Sequence, residues 1–174
     1  MKLSRLERLL LSNQLRILEA LYPEEAGSYA QHRKAIEEGY ALHYDWLTQH
    51  LYDEMSEAQC QEVIDILDMY RALTFSATKV ANTALLEHPY FRFRGFDGNY
   101  ETKQMGYAGY FIEDLGRFQE LRYGNDHADL NSHMPTLGKY RNMLAEWARC
   151  SDKYNLSTED MLRMLNAERA SDEH

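Results

Sequence analysis

The feature that most constrains this chain is the way its apolar residues recur at helical spacing, behind polar capping signatures. "SRLE" near the start sets Ser4 as a helix cap with Glu7 reaching back to it, and "SEAQ" repeats the device with Ser56 and Gln59. Ser157 with Asp160 opens a last short helix, "STEDMLRMLNA". Behind Ser4, Leu6, Leu10, Ile17 and Leu21 form one apolar row, with Leu11, Leu15 and Leu18 as a second. Two rows make a wide stripe, so this helix is expected to be well buried. Pro23 suits the first position of a second helix ending near Gly39.

"YALHYDWLTQHLYDEM" is expected as a third, shorter helix with Leu42, Trp46, Leu47 and Leu51 inward. From Ser56 the period continues through Cys60, Val63, Ile64, Leu67 and Tyr70, giving the longest helix, which "TFSAT" bends and "HP" at 88–89 ends. Residues 136–150 place Leu137, Tyr140, Leu144 and Trp147 on one face. The expected fold is all-α: a single-domain bundle of six or seven helices over residues 1–168, with a frayed tail at 169–174. One extended loop of arginine, aromatic and glycine residues interrupts it near 88–99.

Composition narrows the trades open to such a bundle. A net charge of −9 opposes general attraction to phosphate backbones and anionic lipid. No apolar run reaches the roughly 20 residues of a membrane-spanning helix, and the start resembles no signal peptide, so no membrane is expected. Cys60 and Cys150 stand alone, as thiols of a reducing cytoplasm do.

The stretch "FRFRGFDGNYETKQMGYAGYF", residues 91–111, holds four of the nine glycines. Phe91, Arg92, Phe93 and Arg94 alternate like a strand, Gly95 and Gly98 permit tight turns, and Asn99 is expected to cap a helix over about 100–122. Glu101 suits the dipole of that helix's first turn. "RGF" opens like an RNA-recognition signature, but Asp97 stands where glycine or alanine belongs. A calcium loop fails at Thr102 and Ala108, the places of its glycine and its bidentate glutamate. Gly106, Gly109 and Gly116 together give up about 3 kcal/mol of helix propensity. In one helix, Met105, Gly109, Ile112 and Gly116 form a seam for close packing within or between chains, or for a ligand. Arg92, Arg94 and Phe96 complete the ligand or interface candidates.

Catalytic and cofactor motifs are missing. None of the seven histidines follows a glutamate by three positions, which excludes a ferritin-like di-iron bundle, and no Walker loop, Rossmann glycine run or G-x-S-x-G occurs. "GNDHADLNSHMP" gathers Asp126, His127, Asp129 and His133 without a strong metal spacing; His127, Asp129 and His133 are the weak metal candidates in a loop otherwise read as solvated. No catalytic residue and no cofactor is assigned.

"RLLLSNQ" (8–14), "IEEGY" (36–40), "IDILDMYRAL" (64–73), "FRGFDGN" (93–99), "MGY" (105–107), "KYRNML" (139–144) and "YNLS" (154–157) follow one another as in the YfbU family, which the chain resembles over nearly its whole length. The resemblance implies a soluble, mainly helical bacterial protein and carries over no catalytic residues. Some relatives are thought to bear the domain beside a helix-turn-helix segment, which implies a sensory or ligand-binding role. The functional expectation is a non-catalytic helical domain that forms a homodimer or other homo-oligomer and binds a small ligand or protein partner. The alternatives are an uncharacterised enzyme, with or without a metal, and a nucleic-acid-associated regulator working through Arg92, Arg94 and Lys103.

Overall fold

At three places the capping signatures act as written. Ser4, Ser56 and Ser157 each accept the amide three residues on, and Glu7, Gln59 and Asp160 each return a side chain to the cap's own amide. The protein's structure, a computed structural model, describes residues 2–80, 82–122 and 129–167. Its α-helices are α1 (Arg5–Leu21), α2 (Ala26–Glu38), α3 (Glu57–Ala77), α4 (Thr83–Leu86), α5 (Thr102–Gly109), α6 (Leu137–Ala148) and α7 (Thr158–Leu165). The fold class is all-α. Among the described residues the β-structure is one isolated parallel bridge between Phe96 and Asn131. The expected tail at 169–174 lies outside the described residues.

The chain divides into two compact units, Met1–Glu54 and Met55–His174. In the first, α1 and α2 pair as a helical hairpin. Pro23 opens a turn rather than a helix, and α2 starts only at Ala26. It ends on Gly39, whose φ of 80° is the left-handed cap that glycine permits. The seam between the helices is strongly polar. Arg8 donates from Nε to the Ile36 carbonyl (2.7 Å) and from Nη2 to the Glu37 carbonyl (2.6 Å), satisfying acceptors that α2 leaves open at its end. The Glu37 carboxylate accepts from the buried Ser12 hydroxyl (2.6 Å), from Arg16 (2.9 Å) and from Arg33 (3.2 Å), while Arg33 also reaches Glu19 at 2.6 Å. The Ser12 hydrogen bond and then Arg16 hold Glu37 below the usual glutamate range.

The apolar core of this unit is small: Leu15, Ile36 and Tyr44, with Leu3, Leu11, Leu18, Tyr29 and Leu47 packed around them. Only the second row of α1 is used. Leu6, Leu10, Ile17 and Leu21 remain 65%, 61%, 53% and 65% exposed, so the expectation of a well-buried helix holds for one face alone. Residues Ala41–Leu47 form a 3-10 helix, not an α-helix. At three residues per turn its inward position falls on Tyr44, and Leu42, Trp46 and Leu51, expected inside, are exposed.

The second unit is built on α3, whose Val63, Ile66, Leu67, Met69, Tyr70 and Leu73 are buried. The helix stops at Ala77, and "TFSAT" terminates it rather than bending it. Against α3 pack the rings of Phe93, Phe96 and Tyr140, with Tyr70 lying 5.3 Å from both Phe93 and Tyr140 between ring centroids. Such tilted and edge-on pairs add about 0.5–1.5 kcal/mol each beyond burial. Of the extended loop expected at 88–99, residues 88–92 are turns and bends, with the Phe91 amide donating to the His88 carbonyl (2.9 Å), and 98–99 lie in a further turn; Phe91 and Phe93 are buried and Arg92 is exposed.

The expected helix over 100–122 is three pieces. α5 stops at Gly109, a π-helical turn covers Tyr110–Asp114, and a 3-10 turn follows at Gln119–Arg122. Gly116, at φ 62°, carries the reversal between the last two. Arg117 donates its amide to the Phe111 carbonyl (2.9 Å), and the Gln119 side chain donates to the Ile112 carbonyl, so the open end is satisfied by the returning chain.

Two glycines make opposite predictions. Gly95 sits at φ 79°, and a Cβ there would collide with the Leu130 carbonyl backbone. Gly95→Ala is therefore expected to cost more than about 2 kcal/mol in chemical denaturation. Gly106 is helical, exposed and open around the place of a Cβ, so Gly106→Ala should stabilise by roughly 0.5–1 kcal/mol. Glu37 gives a pH test. A carboxyl whose folded pKa is lowered contributes stability above its unfolded value, and that contribution fades as pH falls through the folded one. Glu37→Gln should melt earlier than the parent at pH 7, with the gap closing as pH drops below the ordinary value of 4.5.

Candidate functional site

Residues 91–111 fold into a clasp. The Phe96 amide donates to the Leu130 carbonyl (2.9 Å) and the Phe96 carbonyl accepts from Ser132 (3.0 Å), laying two loops side by side. Gly98 donates to the Asn131 side chain at 3.0 Å, and Asp97 turns back to accept from the Asn99 amide at 2.7 Å. Glu101 closes the arrangement. Its buried carboxylate accepts from the amides of Asp97 (3.0 Å), Thr136 (3.0 Å) and Leu137 (2.8 Å), with the Thr136 hydroxyl 3.1 Å away. The last two amides open α6, so Glu101 meets that helix's positive end rather than its own. Tyr140 donates from its hydroxyl to the Gly95 carbonyl at 2.9 Å, and burial pushes the phenols of both Tyr140 and Tyr70 upward. These polar groups are already engaged with one another, and the clasp is architecture.

The sequence-derived candidates scatter across this unit. Phe96 and Ile112 are fully buried in the core. Met105 is half-buried against that core, and Gly109 leaves room for Leu130, whose methyl would lie 3.9 Å from a Cβ. Gly116 turns the chain beyond the π-helical segment, so the four seam residues do not share one helix. Arg92 is exposed, and Arg94 is half-buried with its guanidinium 5.8 Å from the Tyr90 ring centre. His127 lies outside the described residues. Asp129 accepts from the Asn131 amide at 3.1 Å in a tight turn, and His133 is exposed at φ 55°. Among the described residues no three His, Cys, Asp or Glu side chains gather as a metal set.

Residues 1–54 hold the features the sequence reading missed. One is the uncovered outer row of α1. The other is a pocket of about 330 Å³ lined by Gln31, His32, Lys34, Tyr40, His43 and Trp46. The His43 ring meets Trp46 edge-on at 4.3 Å, and its Nδ1, shut off from solvent, has no hydrogen-bond partner. A buried polar atom without a partner costs free energy unless something binds it. Helical periodicity identifies an apolar row but not which of two rows faces inward, and the pocket depends on the unforeseen 3-10 turn. A further groove, lined by Arg5, Arg8, Arg16 and Glu37, has two of its arginines engaged with α2.

These features define an all-helical protein whose buried carboxylate serves as a clasp and whose N-terminal hairpin presents an apolar outer face. The chain belongs to the YfbU family: the YfbU domain matches residues 1–167. It is 39% identical over 169 residues to the UPF0304 protein MJECS11 of Methanocaldococcus jannaschii, a match covering 95% of this chain and 99% of that protein. Neither designation names a reaction, a ligand or a partner. Among the described residues no helix is long and apolar enough to cross a membrane.

The clasp makes its own prediction. Glu101→Gln replaces an acceptor oxygen with an NH2 group facing amide donors, and should cost about 2–4 kcal/mol. Urea denaturation reads the loss. An unchanged midpoint would show that α6 does not depend on this carboxylate.

Proposed function

We propose that this chain is a non-catalytic helical protein that self-associates through its N-terminal hairpin and binds a small molecule there. The observation that carries the reading is the second apolar face of α1. Leu11, Leu15 and Leu18 turn inward beside the polar groups Arg8, Ser12 and Glu19, and Leu6, Leu10, Ile17 and Leu21 look outward. A unit whose buried apolar core is Leu15, Ile36 and Tyr44 gains most from covering that outer row. The pocket supports the ligand half of the reading. Exposed Tyr40 and Trp46 rings offer faces for stacking, and Lys34 and His32 offer cationic or donor groups. That chemistry suits a small planar molecule bearing a polar or anionic group.

Native mass spectrometry of protein purified from its own host tests both halves. The expected spectrum shows chain dimers carrying a reproducible mass increment, and His43→Ala together with Trp46→Ala removes the increment while the dimer persists. A bare monomer would overturn the reading, and an increment that survives both substitutions would overturn the pocket assignment.

A further inference from the structure

The outer row of α1 reads the same in both directions. Leu6 and Leu21 stand equally far from the midpoint between Asn13 and Gln14, and so do Leu10 and Ile17. All four lie on the side of the helix opposite Leu15. A row with that symmetry can meet a second copy of itself across a two-fold axis, with Leu6 against the other copy's Leu21 and Leu10 against its Ile17. Charge selects the direction. Lys2 and Arg5 outnumber Glu7 at the N-terminal end of α1, while Glu24 and Glu25 stand just beyond its C-terminal end. Antiparallel pairing brings each basic end beside an acidic one and opposes the helix dipoles; parallel pairing sets like charges together.

We propose that the chain forms a two-fold dimer in which α1 pairs antiparallel with α1 of a second copy, about an axis between Asn13 and Gln14. This rests on the reading that the chain self-associates, and supplies its surface, orientation and register. The 17-residue helix offers a contact of the right shape. It buries roughly 500 Å² per chain, near the lower limit for a specific interface, so a concentration-dependent dimer is expected.

Disulfide trapping in the full chain tests the geometry, with the wild-type thiols Cys60 and Cys150 as background. The substituted positions are exposed, and helical content by circular dichroism confirms folding. Asn13→Cys should cross-link to itself. Leu6→Cys should not, yet it should cross-link when mixed with Leu21→Cys. Reversing Lys2 and Arg5 to Glu should weaken the dimer several-fold in sedimentation, and reversing Glu24 and Glu25 to Lys as well should restore it. A dimer in which Leu6→Cys links to itself overturns the antiparallel axis and leaves self-association standing. A dimer that none of these thiols traps overturns the use of α1, again leaving self-association intact. A wild-type monomer at every concentration overturns both.

Discussion

The second unit depends on one buried carboxylate. Glu101, at the start of α5, joins the nearby turn at Asp97 to the first amides of α6, 35 and 36 residues further along the chain. A carboxylate in a low-dielectric interior is tolerated only when donors surround it, and here backbone amides and the Thr136 hydroxyl do so. Because those donors include the open end of α6, one group satisfies the helix and fixes where it begins. Tyr140, one turn into that helix, then lands against Phe93 and Phe96 and reaches the Gly95 carbonyl. The aromatic core and the loop geometry are therefore consequences of the same contact.

That dependence also shows what could be read from the sequence. Capping boxes are local: Ser4, Ser56 and Ser157 each find their partner within one turn, so three helix starts were legible directly. Glu101 was read as serving its own helix because sequence neighbours are all that a linear reading can offer. Beside the Asp97 amide four residues back, its partners are 35 and 36 residues away. The glycines divided similarly. Gly95 takes the positive φ that glycine permits and Gly98 lies in a turn without it, whereas the spacing of Gly109 and Gly116 suggests one seam only as long as the helix between them is α. A π-helical turn and a left-handed glycine break that assumption, and neither has a strong local signature.

The first unit divides two tasks between the faces of α1. Where two helices pair in water, apolar rows ordinarily meet. Here Leu11, Leu15 and Leu18 do meet Ile36 in a small core, polar contacts of Arg8, Ser12, Glu19, Arg33 and Glu37 run beside it, and a further apolar row stands exposed. The polar seam gives direction and register to the hairpin, since each group has a specific partner, but it removes little apolar surface from water. The inner face thus carries specificity and a small core, and the hydrophobic gain still open to this helix lies on its outer face.

That separation decides where recognition belongs. The aromatic and glycine-rich stretch draws attention in the sequence, yet its turn and capping groups are consumed by the clasp, leaving few unmet hydrogen bonds to offer a ligand. The hairpin looks plain by composition and holds both surplus apolar surface and an unsatisfied histidine nitrogen. A group already satisfied inside the fold gains little from a newcomer, whereas an uncovered leucine row or an unpartnered polar atom gains the full value of burial or of a hydrogen bond. The free energy still available for binding therefore lies on the face whose residues are least unusual, and only the burial of each row reveals it.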